Sequence, residues 1–224
     1  MAGKDGGAAV RLDRLGAWGG VAGPLVFTAA WVVSSLRQGQ PAAQVQLSGL
    51  AAEDARDPQV MIAGFVVLGV CSAGFGAALR RSPSLRKSAG PWLVMVSGAA
   101  AVAAGAFRRD RMLLSGPGFV GESWHNQVHD VVSAIAYAGM LTAPLVLARR
   151  FRADPRWAAV TRPVQILVLA SAATLAVFSS RPAAPWDGTL QRTAVSLALA
   201  AEALIATRLL LDDRAGACGS DDRR

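Results

Sequence analysis

Apolar residues gather into six long runs in this chain, and polar residues fill the intervals between them. Windows of about 20 apolar residues, the length that crosses a bilayer as helix, fall near residues 16–36, 58–79, 89–107, 127–148, 163–180 and 190–211. The pattern predicts an all-α, polytopic membrane protein: a six-transmembrane-helix bundle over 16–211, flanked by an N-terminal tail (1–15) and a tail over 212–224. The second tail, rich in Asp, Arg and Gly, reads as disordered. The first run follows a polar, mixed-charge stretch and lacks the short apolar core and A-x-A site of a cleaved secretory signal. It is expected to stay as a signal anchor, with no separate soluble domain in the chain.

Charge orients the pattern. Sixteen of the 23 Lys and Arg residues lie in the two tails and in the loops after helices two and four, whereas the three remaining loops hold seven. Acidic residues divide evenly between the two sets, so the net charge of +8 belongs to the first. The positive-inside rule then predicts both termini in the cytoplasm, and a place in the plasma membrane. A pI near 11.1 would otherwise raise nucleic-acid binding, but these arginines punctuate apolar spans and line no groove. No nucleic-acid partner is expected. The mean hydropathy of +0.36 and 53% apolar content agree with one compact helical bundle.

Lipid supplies no hydrophobic drive between helices, so close approach needs small side chains. Gly19 and Gly23 form a GxxxG in helix one, Gly64, Gly69 and Gly74 run along helix two, and helix three carries Gly98-Ala99-Ala100-Ala101. Pro24 and Pro144 fall inside spans, where each removes a helical hydrogen bond. Cys71 in a span and Cys218 in a tail suggest no disulfide framework.

Residues capable of chemistry concentrate in the three outer loops. The first carries Gln44 to Ser48, then Glu53, Asp54, Arg56 and Asp57-Pro58. The second carries Arg108-Arg109-Asp110-Arg111, a Ser-Gly-Pro-Gly turn at 115–118, Glu122, and then Trp124-His125-Asn126 and His129-Asp130. The third carries Arg181, Trp186-Asp187-Gly188 and Gln191-Arg192.

His125 and His129 are the only histidines, and their i, i+4 spacing places them on one helix face with Ser133 a turn deeper. Asp130 is rotated about 100° from His129 and faces Asn126 instead. Three readings stay open. A divalent metal would need both imidazoles plus a carboxylate such as Asp57, Asp110 or Asp187, but no third ligand stands out and the glutamate of H-E-x-x-H is missing. Metal-free acid/base work needs one His and one carboxylate with separated pKa values. A hydrogen-bonded polar helix end tied to the arginines needs neither. Glu202, near the middle of helix six, is either a proton donor or a neutral packing residue. The six Trp residues sit mostly near span ends, as an aromatic belt would. Trp124 and Trp186 adjoin the polar cluster and could offer ring faces to a cation or a hydrophobic ligand.

Several of these motifs occur in a familiar order: Gly23-Pro24-Leu25, Leu47-Ser48-Gly49-Leu50, the Arg80-Arg81 end of helix two, and Gly105-Ala106-Phe107-Arg108-Arg109-Asp110. With His129-Asp130 opening helix four and Gly188-Thr189-Leu190-Gln191-Arg192 opening helix six, the chain resembles the bacterial membrane family called domain of unknown function 998 over roughly 16–211. That family is found mostly in actinobacteria, and the resemblance implies a six-helix bundle, similar in plan to Frag/DRAM/Sfk-type membrane proteins, while assigning no activity. The chain departs from the family's tendency to follow Phe107 with a proline and an acidic residue. Arg108 and Arg109 stand there instead, as they would for an anionic ligand.

Two function classes follow, with a third behind them. The first is a membrane acid/base enzyme on an isoprenoid or other lipid, in the manner of a membrane terpene cyclase, isomerase or lyase, with no metal and no cofactor. Its candidate catalytic residues are Asp57, Asp110, His129, Asp130 and Glu202. Its candidate substrate contacts are Arg108, Arg109, Trp124, His125, Trp186, Gln191 and Arg192. The second is a non-catalytic lipid-binding or scaffold protein, with Arg108, Arg109 and Arg111 meeting anionic head groups or a partner. The third, a proton-coupled transporter using Glu202, would call for an inverted repeat, which the chain does not display. No P-loop, no dinucleotide-binding fingerprint set between a strand and a helix, and no G-x-S-x-G motif is present, which argues against nucleotide-driven transport and serine hydrolysis.

Overall fold

The computed structural model describes residues 4–112, 123–180 and 185–221. The expected turn at 115–118, Glu122 and Arg181 lie outside the described residues. Six α-helices lie among the described residues: α1 (Lys4–Gln38), α2 (Pro58–Arg81), α3 (Gly90–Ala106), α4 (Trp124–Phe151), α5 (Ala158–Ser180) and α6 (Asp187–Asp221). Each contains one of the apolar runs. Five are long and apolar enough to cross a membrane, and α3 is apolar but shorter. Its 17 residues reach about 25 Å at 1.5 Å per residue. Side chains such as Leu25, Leu36, Val70, Val131, Ile166 and Leu169 stand exposed on the outer faces of these helices, where lipid rather than water would meet them at no cost. Helix runs on into both tails, because α1 begins at Lys4 and α6 continues to Asp221. A helix already nucleated in a span propagates outward at one hydrogen bond per residue, without a new nucleus.

The helices form a ring in chain order. Each packs on the next, and α6 closes the ring against α1. The α4–α5 seam is the thinnest in that circuit. Small residues set the tightest approaches. A Cβ on Gly69 would strike the Gly98 carbonyl, and one on Gly98 would strike the Gly69 carbonyl, so α2 and α3 touch backbone to backbone. Gly19 meets the Cys71 backbone of α2, and Gly23 meets the Cys71 Cβ. The predicted glycine stripes are thus the contact lines.

Residues 39–57, 107–112, 123 and 185–187 share one end of the bundle, here called the upper end. Residues 82–89 and 152–157 share the lower end, where Phe151 stacks on Trp157 with ring centroids 4.5 Å apart. Trp157 is fully buried there and so is no belt residue, whereas Trp18, Trp92, Trp124 and Trp186 are exposed.

The upper end is roofed by residues 39–57. Val45, Leu47, Leu50 and Ala51 are buried against Phe27, Met61, Leu68, Val195 and Leu199 of the helices below, and Ser48–Ala51 form one turn of 3-10 helix. Backbone bonds fasten this roof on both sides: Gly188 N–H donates to the Ala43 carbonyl at 2.7 Å, and Glu53 N–H donates to the Arg109 carbonyl at 3.0 Å. Glycine is required at both crossings. A Cβ on Gly188 would strike the Ala42 and Val45 carbonyls, and one on Gly49 the Met112 carbonyl.

Candidate functional site: a roofed chamber in the upper half of the bundle

Beneath the roof lies a chamber of about 570 Å³, within the ~300–1,000 Å³ range of small-molecule sites. Its walls are apolar, with Phe27, Phe65, Leu68, Met140, Leu141, Leu175, Phe178 and Val195 drawn from α1, α2, α4, α5 and α6. Its polar groups are Gln46 and Ser48 from the roof, Arg109 beyond α3, His129, Asp130, Ser133 and Tyr137 from α4, Ser179 from α5, and Asp187 and Gln191 from α6. The i, i+4 stripe of α4 explains three of these, because His129, Ser133 and Tyr137 follow one another down a single face.

His129 is 1% exposed. Its Nδ1 lies 3.0 Å from the Ala104 carbonyl and 2.7 Å from the Phe107 carbonyl at the C-terminal end of α3. Two carbonyls can only accept, so Nδ1 carries the proton, and in the neutral ring Nε2 keeps the lone pair. Nε2 is buried without a protein partner. Arg109, 7% exposed, donates from Nη1 to Gln46 Oε1 at 3.0 Å and to Ser48 Oγ at 3.3 Å, while Nη2 lies 3.4 Å from Asp130 Oδ1. Its Nε has no protein partner. Asp187, 3% exposed in the first turn of α6, likewise leaves Oδ1 unpartnered. Three chamber residues from three elements therefore each hold a buried polar atom unsatisfied, where a typical native protein pairs nearly all such atoms.

The second-loop residues divide between building the site and facing away from it. Ser123 caps α4 by accepting from Asn126 N–H at 3.2 Å, and its own N–H donates to Asp110 Oδ2 at 2.7 Å. The Ser123 hydroxyl and N–H hold the Asp110 carboxyl below the ordinary value of 3.8. Asn126 Nδ2 donates to Asp130 Oδ2 at 3.2 Å, the pairing expected from helix geometry. Arg108 donates to the Ala51 and Ala52 carbonyls and ties the roof down. Arg192 does the same through Ala42 and Val45, and lies 5.5 Å over the Trp31 ring.

Not every candidate reaches the chamber. His125 is exposed one turn above His129, its ring 3.8 Å from that of Trp124. Trp124 and Trp186 are both exposed, Asp57 pairs with Arg37 at 3.6 Å outside the chamber, and Asp110 is not among the chamber's lining residues. Glu202 lies lower, accepting from Ser72 Oγ at 2.8 Å beside a void of about 20 Å³. Met140 borders both spaces. Among the described residues, no group of three His, Cys, Asp or Glu gathers as a metal site would require. The sequence reading undervalued Asp187 and passed over Tyr137, Gln46 and Ser48. Tyr137 was reachable by extending the His129-Ser133 stripe one more turn.

The family described as "Protein of unknown function (DUF998)" matches residues 21–208. The chain belongs to that family. That DUF998 match reaches into all six helices and takes in the roof and every chamber residue. No curated protein and no solved structure matches the chain.

Proposed function

We propose that this DUF998 protein is a plasma-membrane protein with six spans and cytoplasmic termini, which holds a lipophilic molecule in the roofed chamber and performs metal-free acid/base chemistry on it. The observation that carries the reading is His129, a buried imidazole whose tautomer is dictated by the Ala104 and Phe107 carbonyls and whose Nε2 has no protein partner in an apolar-walled space. Nε2 takes a proton from the substrate, and the electron pair of the broken bond stays behind. The imidazolium, with Asp130 and Asp187 among its neighbours around the chamber, returns the proton to another atom of the same molecule. Such a step is an isomerisation or the closing step of a cyclisation, and it needs no co-reactant. The thin α4–α5 seam, whose residues Ser133, Tyr137, Leu175 and Phe178 line the chamber, suits entry from the bilayer.

A second reading, non-catalytic lipid binding, is favoured by the ion pair that already occupies Asp130 and Arg109. Lipid-resolving mass spectrometry separates the two, using membranes and purified protein from cells expressing wild type or His129→Asn. A new lipid species that appears with wild type and not with the variant supports the enzyme. An unaltered lipid that co-purifies with wild type only supports the binder. Identical lipids in both preparations, at equal folded yield, overturn both.

A further inference from the structure

The unsatisfied atoms of the chamber specify the head group of its occupant, an inference that rests on the chamber being a ligand site. His129 Nε2 carries a lone pair and needs a donor, because Nδ1 spends its proton on two carbonyls. Asp187 Oδ1 belongs to a side chain in the first turn of α6, where free N–H groups and the helix macrodipole favour a carboxylate, so it also needs a donor. Arg109 Nε can only donate and needs an acceptor. All three residues are more than nine-tenths buried and line the same space. A buried polar atom left without a partner costs about 1–3 kcal/mol, so a ligand that supplies two donors and one acceptor is selected over one that does not.

Common lipid head groups meet this requirement unequally. A phosphate ester brings acceptors alone and would set its charge against Asp187 and Asp130. A quaternary ammonium offers neither a donor nor an acceptor. A hydrocarbon satisfies none of the three atoms. A hydroxyl both donates and accepts, and two neighbouring hydroxyls supply the full set. Gln46, Ser48 and Tyr137 around the same rim add neutral hydrogen-bonding groups and no further cation.

We propose that the chamber takes an uncharged, hydroxyl-headed lipophile, with a vicinal diol as the best match, its hydroxyls donating to His129 Nε2 and Asp187 Oδ1 and accepting from Arg109 Nε. The apolar tail fills the space between Phe27, Phe65, Leu68, Leu141 and Phe178. Arg109 thereby serves a neutral head group and not an anionic one, contrary to what its charge alone suggests.

The test uses the full chain, purified in detergent, with four probes of equal chain length: a 1-O-alkyl glycerol, an alkanol, an alkyl phosphate and an alkane, each measured by displacement of a fluorescent fatty alcohol and by thermal shift. The diol should bind tightest and the alkanol next, with the phosphate and the alkane at least about 10-fold weaker, the equivalent of ~1.4 kcal/mol. Asp187→Asn and His129→Phe should each reduce the diol's advantage over the alkane. Alkyl phosphate binding as tightly as the diol overturns the head-group assignment and leaves the chamber standing. So does alkane binding equal to that of the diol. Failure of all four probes to bind a folded, monodisperse protein overturns the ligand site itself.

Discussion

Arg109 and Asp130 meet at 3.4 Å on the rim of the chamber, the arginine side chain 9% exposed and the aspartate 45%. The same guanidinium reaches Gln46 and Ser48 in the roof, so one side chain joins α4 to residues 39–57. Because Asp130 is partly open, the ion pair itself adds little. The hydrogen bonds to buried roof groups matter more.

Arg109→Met removes those bonds and leaves Gln46 and Ser48 without their donor. Thermal unfolding in detergent should show a loss of roughly 1.5–3 kcal/mol, the range for hydrogen bonds to a charged group. Limited proteolysis within 39–57 should accelerate alongside. Unchanged cleavage would show that the roof is held without the Arg109 side chain, by Arg108, Arg192, the backbone bonds and the buried apolar residues.

Gly188→Ala places a methyl group against the Ala42 and Val45 carbonyls. The backbone on one side must shift, so the variant should lose about 1–3 kcal/mol, as overpacking does. Gly39 has open space around it but a φ of +70°, so Gly39→Ala should cost less, through backbone conformation alone. Equal melting temperatures for wild type and Gly188→Ala would contradict the contact.

Asp110 supplies an acid-sensitive element. Its carboxyl is held below the ordinary value of 3.8 by the Ser123 hydroxyl and N–H. A depressed folded-state pKa stabilises fully above the unfolded value, and that stabilisation drains as pH falls through the folded value. Melting temperature should therefore fall as pH drops below about 4. Asp110→Asn should lower stability at neutral pH and flatten that acid limb. A variant whose acid limb matches the wild type would remove Asp110 from the account.

Glu202→Gln preserves shape and can still accept from Ser72. Folded yield should hold, and diol affinity in the chamber should stay within about twofold, as for sites that share no partner. Loss of chamber binding in this variant would mean that the two spaces communicate past Met140.

Helix positions were legible because a membrane span needs about 20 apolar residues regardless of its neighbours. The contact lines were legible too, since only Gly and Ala let backbones approach as Gly69 and Gly98 do. The Asn126–Asp130 bond followed from helix spacing alone. The roof was not legible: residues 39–57 contain Glu53, Asp54, Arg56 and Asp57 and read as an outer loop of polar residues, yet Val45, Leu47, Leu50 and Ala51 are buried.

The sequence by itself determined six helices, the faces on which they pack and the end at which the polar candidate residues gather, because these depend on local periodicity and residue size. Which polar residues share a chamber was decided only by the tertiary structure. His125 and His129 are one turn apart, yet the first faces outward and the second inward, since α3 ends beside His129 and supplies the carbonyls of Ala104 and Phe107. Along α6, Asp187 and Glu202 stand fifteen residues apart, about 22 Å at 1.5 Å per residue, so helix length alone parts them. Only the packing of the roof and of α3 decides that Asp187 and His129 line one chamber.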